Sequence, residues 1–322
     1  MRVSVGLPFF NNRRTLADAI RSVFAQSFED WELILVDDGS TDGSLEIARS
    51  VRDPRVRVVS DGSNRGLAAR LNQIAGLARA PLLARLDGDD MLHPQRLQRQ
   101  VEVFDCIPGI DLVGTAMYSL DRADHPRGIQ GLTQPDRRAA AVLQRALLLH
   151  ATITGRTAWF RDNPYDEQWR RAEDRELMVR TFGRMNFVHL TEALYFCREE
   201  FSIRLDKYLA SGRESRRIMR QYGPKLLGRA HTTALRLASW CKGEIYRLGT
   251  HLHAEQFLVR RRNRAIDGAL ARDAEDILRR IRTTPVPGLE TSCEASSARI
   301  YRTGGQLPIN ECARRAVGTT AI

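Results

Sequence analysis

The sequence predicts an α/β fold in which helices flank a mostly parallel sheet and a basic helical extension follows. Two observations support this prediction. Over the first 120 residues, short apolar runs alternate with segments whose apolar residues recur at helical spacing. In addition, acidic or amide side chains follow three of the apolar runs, at the place where the carboxyl ends of parallel strands form a ligand-binding crevice. We therefore expect one sheet with helices on both faces.

Five strands and four helices are predicted in alternation. The strands are residues 3–10, 31–40, 55–60, 81–87 and 111–120. The helices are residues 15–26, 40–51, 65–78 and 92–104. Ser40 or Thr41 is in position to cap the second helix. Pro94 is tolerated in the first turn of the fourth.

After residue 120 the pattern changes. Residues 121–135 are polar and predict a loop over the crevice mouth or an insertion. A helix at 137–148, a strand at TAWF (157–160) and a helix at 172–182 then complete the domain. The predicted division is an α/β domain at 1–203, a basic helical extension at 204–282 and a disordered tail at 283–322. The extension carries one apolar stripe, formed by Leu227, Ala230, Ala234, Leu237, Cys241, Ile245 and Leu248.

Composition and charge limit the class of protein. With 43% hydrophobic and 28% charged residues, the chain is typical of a globular protein. It has no apolar run of membrane-spanning length and no signal-peptide pattern, so we expect a cytoplasmic protein. The five cysteines are widely spaced and predict reduced thiols. Residues 204–322 hold 23 Lys and Arg against 11 Asp and Glu, which favours an anionic partner surface or a solvated helix face.

The stretch VDDGSTDGS (36–44) is the first candidate for a binding site. Asp38, just beyond a buried strand, can accept hydrogen bonds from a nucleobase or a ribose hydroxyl, with Asp37 beside it. Gly39 allows the chain to turn sharply next to a ligand. An Asp-rich turn with a helix cap would have the same sequence.

The stretch LLARLDGDD (82–90) is the second candidate. Asp87, Asp89 and Asp90 would meet in one crevice, where three ionised carboxylates need a cation. Oxygen ligands favour Mg²⁺ or Mn²⁺, and these ions commonly bridge to a substrate diphosphate. A solvated polar turn is the alternative. Together with the first candidate, the stretch predicts a site for a nucleoside diphosphate.

These stretches and their order resemble the family 2 inverting glycosyltransferases of the GT-A fold. The resemblance extends from about Val3 to Ser202. The matching strings are VSVGLPFFNN, FAQSFEDWELILVDDGSTDGS, NRGLAARLN, LLARLDGDD with HPQRLQRQV, and EDRELMVR.

The resemblance implies roles for individual residues. The residues implied at the donor site are Pro8, Asn11, Asp37, Asp38, Asn64, Arg65, Gly66, Asn72, Asp87 and Asp90. Asp89 is implied as the first ligand of Mn²⁺ or Mg²⁺, with Asp87 as the second. Asp174, in the pair Glu173 and Asp174, is implied as the general base.

The base also makes chemical sense, because in-line displacement at the anomeric carbon requires a group that takes the proton of the acceptor hydroxyl. Acidic residues in a solvated first helical turn are the alternative for Glu173 and Asp174. Two further positions are open: Arg198 as a phosphate contact and His150 on the acceptor side. The family often continues Y-R-x-H where this chain has YFCREEFS.

The sequence therefore predicts an enzyme that moves a sugar from a nucleotide-sugar donor, expected to be a UDP-sugar, to a saccharide or lipid-linked acceptor. A dinucleotide-dependent oxidoreductase would need G-x-G-x-x-G after the first strand, where LPFFNN stands. A membrane- or nucleic-acid-binding protein acting through the basic third is the non-enzymatic alternative. No nucleic-acid partner is expected, because aromatic residues are not interleaved with the basic run RRRNR (260–264). Peripheral contact with the inner face of the membrane is the second interpretation of that basic third.

Overall fold

The computed structural model describes residues 1–169, 171–199, 205–251 and 264–289. Its first half is a parallel sheet with helical crossovers, as predicted. The strands are β1 (Val3–Phe9), β2 (Trp31–Asp37), β3 (Val56–Ser60) and β4 (Leu82–Arg85), in the spatial order β4-β1-β2-β3. The helices between them are α1 (Leu16–Phe24), α2 (Ser44–Ser50) and α3 (Leu67–Leu77).

The central strands β1 and β2 are buried along their whole length. Their near-continuous apolar sequences follow from this, because helices cover both faces of a parallel sheet. The register pairs Pro8 with Val36 and Phe9 with Asp37. The two strands consequently end at the same level, and the polar residues that follow them meet at one edge of the sheet.

The second half of the sheet is mixed. Its strands are β5 (Met91–Leu92), β6 (Leu112–Leu120), β7 (Pro126–Gln130), β8 (Thr154–Arg156), β9 (Phe187–Arg198) and β10 (Arg264–Ala265). The short β8 runs antiparallel between β4 and β6, and β9 runs parallel to β6. The segment predicted as a loop at 121–135 contains β7, which pairs antiparallel with β6.

Besides the strand in the predicted loop, two further local predictions were wrong. TAWF begins a helix, not a strand, because Thr157 donates its hydroxyl to the carbonyl of Ala80 and Phe160 turns into the core. Tertiary packing outweighs the β propensity of these residues. The second helix begins at Ser44, so neither Ser40 nor Thr41 caps it. Instead, the Asp42 carboxylate accepts a hydrogen bond from the Ser44 backbone N–H at 3.0 Å.

The remaining helices lie around the mixed half and beyond it. They are α4 (Arg96–Cys106), α5 (Ala139–Gln144), a 3-10 turn (His150–Thr152), α6 (Thr157–Asp162), α7 (Glu173–Arg180), α8 (Leu205–Leu227), α9 (Arg229–His251) and α10 (Gly268–Thr283). Helices α8 and α9 pack against each other. Helix α10 packs against α1 and β7 through Ala274, Leu278 and Ile281.

The domain division at residues 203 and 282 stays a prediction. Most of the run RRRNR lies outside the described residues, and so does the predicted tail from residue 290 onward. Within the parts of the chain that the structure describes, no helix combines the length and apolarity needed to cross a membrane.

Candidate active site

The ends of β1 and β2 are joined by reciprocal hydrogen bonds. The Asn11 backbone N–H donates to the Ser40 hydroxyl (3.0 Å), and the Asn11 side-chain oxygen accepts from the Thr41 backbone N–H (2.9 Å). Asn11 has φ = 53°, a left-handed conformation that Asn tolerates better than most residues. Pro8 lies buried three residues earlier in β1. This edge of the sheet is therefore a fixed surface.

Asp37 shapes the loop after β2. Its buried carboxylate accepts hydrogen bonds from the Ser40 backbone N–H (2.9 Å) and the Ser60 hydroxyl (2.8 Å). Both bonds stay within the protein, so Asp37 holds the turn while its neighbour Asp38 points toward the next loop.

Asp38 organises the loop at 64–66. Its carboxylate accepts from the backbone N–H groups of Arg65 (2.7 Å) and Gly66 (3.1 Å) and from Nε of Arg70 (2.8 Å). Arg70 is fully buried, and its pKa is raised by hydrogen bonds to Asp61 and Asp38. Asn64 and Arg65 are exposed at the edge of the loop. The structure thus brings together the predicted residues on both sides of this crevice.

Asn72 has a different position. Its side-chain amide donates to the backbone carbonyl of Tyr165 (2.9 Å) and accepts from the Tyr165 backbone N–H (2.8 Å). The structure therefore places it as a brace for the segment that leads to α7, with no direct tie to the loop at 64–66.

The turn after β4 lies tightly against the end of β1. A Cβ atom on Gly88 would be 2.9 Å from Cβ of Phe9 and 2.7 Å from Oδ1 of Asn12, too close for any other residue. The Gly88 carbonyl also accepts a hydrogen bond from the Thr15 hydroxyl (3.0 Å). The acidic turn is consequently held against the same edge of the sheet as Asn11.

The three carboxylates of this turn have unequal surroundings. Asp87 is bound by Arg85, whose Nε donates to Oδ1 (2.9 Å) and whose Nη2 donates to Oδ2 (3.0 Å). Asp90 is buried and accepts from the Tyr195 hydroxyl (2.9 Å) and the Arg198 backbone N–H (2.9 Å). Burial, then the charges of Asp89 and Asp87, raise the pKa of Asp90 well above its usual value.

Asp89 is the open member of the three. Its side chain is exposed, and among the described residues no other side chain donates a hydrogen bond to its carboxylate. Its position at the base of a cleft removes part of its hydration, and this loss, followed by the charge of Asp87, raises its pKa. A carboxylate that is accessible, unpaired and close to like charges is suited to a cation.

A second group of polar side chains lies at the start of α7. Ligand-type atoms of His150, Glu173 and Asp174 all lie within 4.8 Å of one another, so this group could also hold a metal ion. Nε2 of His150 is 2.8 Å from the Tyr165 hydroxyl oxygen. Burial, then the charge of Asp174, raise the pKa of Glu173. Burial, then the charge of Arg85, lower the pKa of His150 well below its usual value, which keeps the imidazole neutral.

Arg85 connects the two acidic groups electrostatically. Its guanidinium is bound to Asp87, and its charge also acts on Glu173 and His150. The side chain is 8% exposed, and its Nη1 has no hydrogen-bond partner within the described ranges. A buried cation of this kind needs nearby negative charge. The positive charge of Arg85 therefore disfavours a metal ion at the group formed by His150, Glu173 and Asp174.

Arg198 links the acidic turn to the C-terminal helix α10. Its Nη1 donates to the Asp89 carbonyl (2.6 Å), its Nε to Asp124 (2.6 Å) and its Nη2 to Asp18 (3.2 Å). Arg282 of α10 pairs with the same two carboxylates. An open cavity of about 380 Å³ lies beside this cluster, lined by Arg14, Thr15, Asp89, Asp121, Arg122, Arg198 and Glu199.

Comparison with known proteins agrees with this geometry. The model of the family described as glycosyl transferase family 2 matches residues 4–169, just over half of the chain. The chain belongs to glycosyl transferase family 2. This family 2 glycosyltransferase is 35% identical over 208 residues to EpsE of Bacillus subtilis, a protein named as a glycosyltransferase. The aligned region covers 62% of this chain and 73% of EpsE.

Two further similarities extend the comparison. The glycosyltransferase is 38% identical over 102 residues to TuaG of Bacillus subtilis, named for glycosyl transfer in teichuronic acid biosynthesis, covering 31% of this chain and 40% of TuaG. TarS of S. aureus (residues 1–349, in complex with UDP) superposes with a TM-score of 0.55 at 20% identity, covering 73% of this chain and 70% of TarS. TarS has also been solved with UDP-GlcNAc, at a TM-score of 0.55. The predicted GT-A fold is thereby confirmed.

Two residues of the candidate site were missed from the sequence. Phe10 is 46% exposed between Pro8 and Asn11, directly after the fully buried strand β1. The sequence carries one signal for Phe10, because the apolar run continues one residue past the end of β1. Arg85 is a cation inside the buried run LLARLD, and a charge at such a position requires a partner.

Proposed function

We propose that this glycosyltransferase moves a hexosyl group from a nucleoside-diphosphate sugar, expected to be a UDP-sugar, to an acceptor hydroxyl with inversion of configuration. The observation that carries the proposal is the unequal pairing of the acidic turn. Asp87 and Asp90 are engaged by Arg85 and Tyr195, whereas Asp89 is open to a cation beside the cavity. In a second acidic pair, Glu173 and Asp174, the charge of the same Arg85 acts on Glu173.

The donor would lie along the edge formed by β1, β2 and the loop at 64–66. Phe10 offers an exposed ring for stacking a nucleobase, and Asn64 and Arg65 offer polar groups next to it. Asp38 would act on the base side while holding this loop. The complexes of TarS with UDP and UDP-GlcNAc support a uridine nucleotide.

The acidic turn fits a hard divalent cation, Mn²⁺ or Mg²⁺. Asp89 would be its first protein ligand, and Asp87 could share it while remaining paired with Arg85. Such an ion supplies positive charge for the diphosphate as it departs. Arg198 fixes the Asp89 peptide from the other side, by its bond to the Asp89 carbonyl.

Asp174 would accept the proton of the acceptor hydroxyl. Glu173, its neighbour in the first turn of α7, is the more buried of the two, so Asp174 is the carboxylate that an acceptor hydroxyl can reach more readily. His150 stays neutral and is hydrogen-bonded to Tyr165, so it could orient an acceptor hydroxyl without adding charge. One base is sufficient for direct displacement.

The acceptor is proposed to be a saccharide or a lipid-linked saccharide in the assembly of a surface polysaccharide. The named role of TuaG in teichuronic acid biosynthesis supports this class of acceptor. The protein would act in the cytoplasm, with peripheral contact to the inner face of the membrane through its basic C-terminal region.

A thermal-shift panel of nucleotide sugars, with and without Mn²⁺, tests the proposed function. At a ligand concentration of about 100 times Kd, binding stabilises by roughly 2.7 kcal/mol, so Tm should rise by about 5 °C for the correct donor. We expect the rise with uridine nucleotides and only when Mn²⁺ or Mg²⁺ is present. If no nucleoside diphosphate raised Tm in either condition, the proposed function would be wrong.

Arg282 gives a separate prediction for the donor site. Arg282→Gln should raise the donor KM by about threefold to tenfold with little change in kcat, since Arg282 helps to position the Asp18 and Asp124 carboxylates that bind Arg198. Because the pair is partly exposed, the free energy of unfolding should change by less than about 1 kcal/mol. Arg282→Lys is the matched control and should restore most of the donor affinity. An unchanged KM in Arg282→Gln would show that α10 does not influence the donor site.

A further inference from the structure

Helix α9 has an inner face that packs closely on α8. Gly228, at φ = 79°, makes the turn between the two helices. A Cβ atom on Gly223 of α8 would be 2.6 Å from Cγ2 of Thr232, and Gly243 of α9 lies beside Leu209. Thr232 is 3% exposed. Thr232 and Gly243 are thus packed on the inner face of α9, against α8.

The outer face of α9 is apolar and uncovered by the described residues. We call it the outer stripe, and it consists of Ala230, Ala234, Leu237, Trp240, Cys241 and Ile245. Leu237 is 59% exposed, Trp240 52% and Ile245 61%. These positions recur at intervals of three, four and seven residues, so they lie along one side of the helix. Exposed apolar side chains in a continuous line indicate a surface that binds another protein or a membrane.

Basic residues border the outer stripe. On α8 and α9 together, ten Lys and Arg stand against three Asp and Glu. Arg229, Lys242 and Arg247 are exposed on α9. An apolar stripe that includes Trp and is flanked by Lys and Arg is typical of helices that lie in the interface of a membrane with anionic lipids.

We propose that α9 lies flat on an anionic lipid surface, with Leu237, Trp240 and Ile245 inserted at the level of the headgroups. A second copy of the chain is a poorer occupant, because pairing this face with itself would bring two strongly basic helix pairs together. A nucleic acid would satisfy the basic residues but leave the apolar stripe in water. The proposal rests on the proposed function in one respect, since a lipid-linked acceptor would be presented at this surface.

Co-sedimentation of the full chain with vesicles tests the proposal. The vesicles are phosphatidylcholine alone, or an equimolar mixture with phosphatidylglycerol. We expect binding to the anionic vesicles, weaker binding as salt is added, and little binding to phosphatidylcholine alone. The triple variant Leu237→Ser, Trp240→Ser, Ile245→Ser should lose at least about tenfold in vesicle affinity, because the apolar contribution is removed while every charge is kept.

A matched variant separates insertion from simple charge attraction. Trp240→Phe keeps an apolar ring and should retain vesicle binding, while the blue shift of tryptophan emission on adding vesicles should diminish. Point substitutions are preferable to truncation, because α10 follows α9 and packs against α1 and β7. The three replaced residues are exposed, so the melting temperature of the triple variant should be nearly unchanged.

Three results would overturn the proposal. The first is equal vesicle binding by the triple variant and the unaltered protein. The second is no binding by the unaltered protein to anionic vesicles. The third is a dimer in sedimentation velocity that the triple variant abolishes, which would make the outer stripe an interface between copies. The triple variant should keep its thermal shift with uridine nucleotides, so a failure of lipid binding is distinguishable from a failure of the proposed function.

Discussion

Replacing Asp174 with Asn is expected to lower kcat by about 10³-fold, within the range that removal of a general base produces. The donor KM should stay within about threefold of its original value, because Asp174 lies in the group with His150 and Glu173, whereas the donor's diphosphate is proposed to bind at the acidic turn at 87–90. Asn keeps the size of the side chain and its place in the first turn of α7. The measurement is steady-state kinetics of nucleotide release, with donor binding followed by thermal shift.

Glu173→Gln is the matched control for the base. It removes the neighbouring carboxylate while leaving the Asp174 side chain unchanged, so it should reduce kcat far less than Asp174→Asn does. If Asp174→Asn instead abolished donor binding, or if Glu173→Gln were the more damaging change, Asp174 would not be the base.

Asp89→Asn should lower kcat/KM by on the order of 10²-fold or more, because loss of a direct metal ligand costs at least as much as loss of an outer-shell partner. The dependence of activity and of the donor thermal shift on Mn²⁺ should weaken in parallel. The fold should not be harmed. Partial desolvation raises the pKa of Asp89, so its ionised form is disfavoured in the folded state and we expect removal of that charge to leave stability near neutral pH undiminished.

Asp87→Asn is the informative comparison, since Asp87 is bound to the buried guanidinium group of Arg85. Removing its charge leaves the buried Arg85 without its paired carboxylate. Because Asp87 itself is 25% exposed, the cost should stay below the roughly 3–5 kcal/mol of a fully buried pair. Asp87→Asn should therefore reduce both stability and activity, whereas Asp89→Asn should reduce activity alone. If both variants lost stability equally, the unequal roles assigned to the two carboxylates would be wrong.

The parallel half of the fold could be predicted from the sequence because its signals are local. VSVGLPF and WELILVD are apolar over the length of one strand, and helical spacing follows each of them. The position of the acidic turn at the end of β4 follows from the same alternation. Predictions failed where tertiary packing decided the structure, as at TAWF, which became a helix, and at 126–130, which became β7.

The sequence predicted which carboxylates lie at the candidate site but not which side chains bind each of them. Nothing in LDGDD distinguishes Asp89 from its neighbours, because the difference arises from Arg85 on the strand and from Tyr195 and Arg198 of β9, more than 100 residues later. The link from Arg282 to Asp124 joins segments 158 residues apart. Contacts of this range have no local pattern, so only the folded arrangement defines them. The outer stripe is the reverse case, since its period was visible but its exposure was not.

The central claim is that the cation sits at the acidic turn and the base stands at α7. Anomalous scattering from crystals grown with Mn²⁺ and UDP tests it most directly, because the structure offers two carboxylate groups that could hold the ion. We predict one Mn²⁺ peak within about 2.5 Å of the Asp89 carboxylate, with the diphosphate beside it. A peak bound by His150, Glu173 and Asp174, with none at Asp89, would contradict the account.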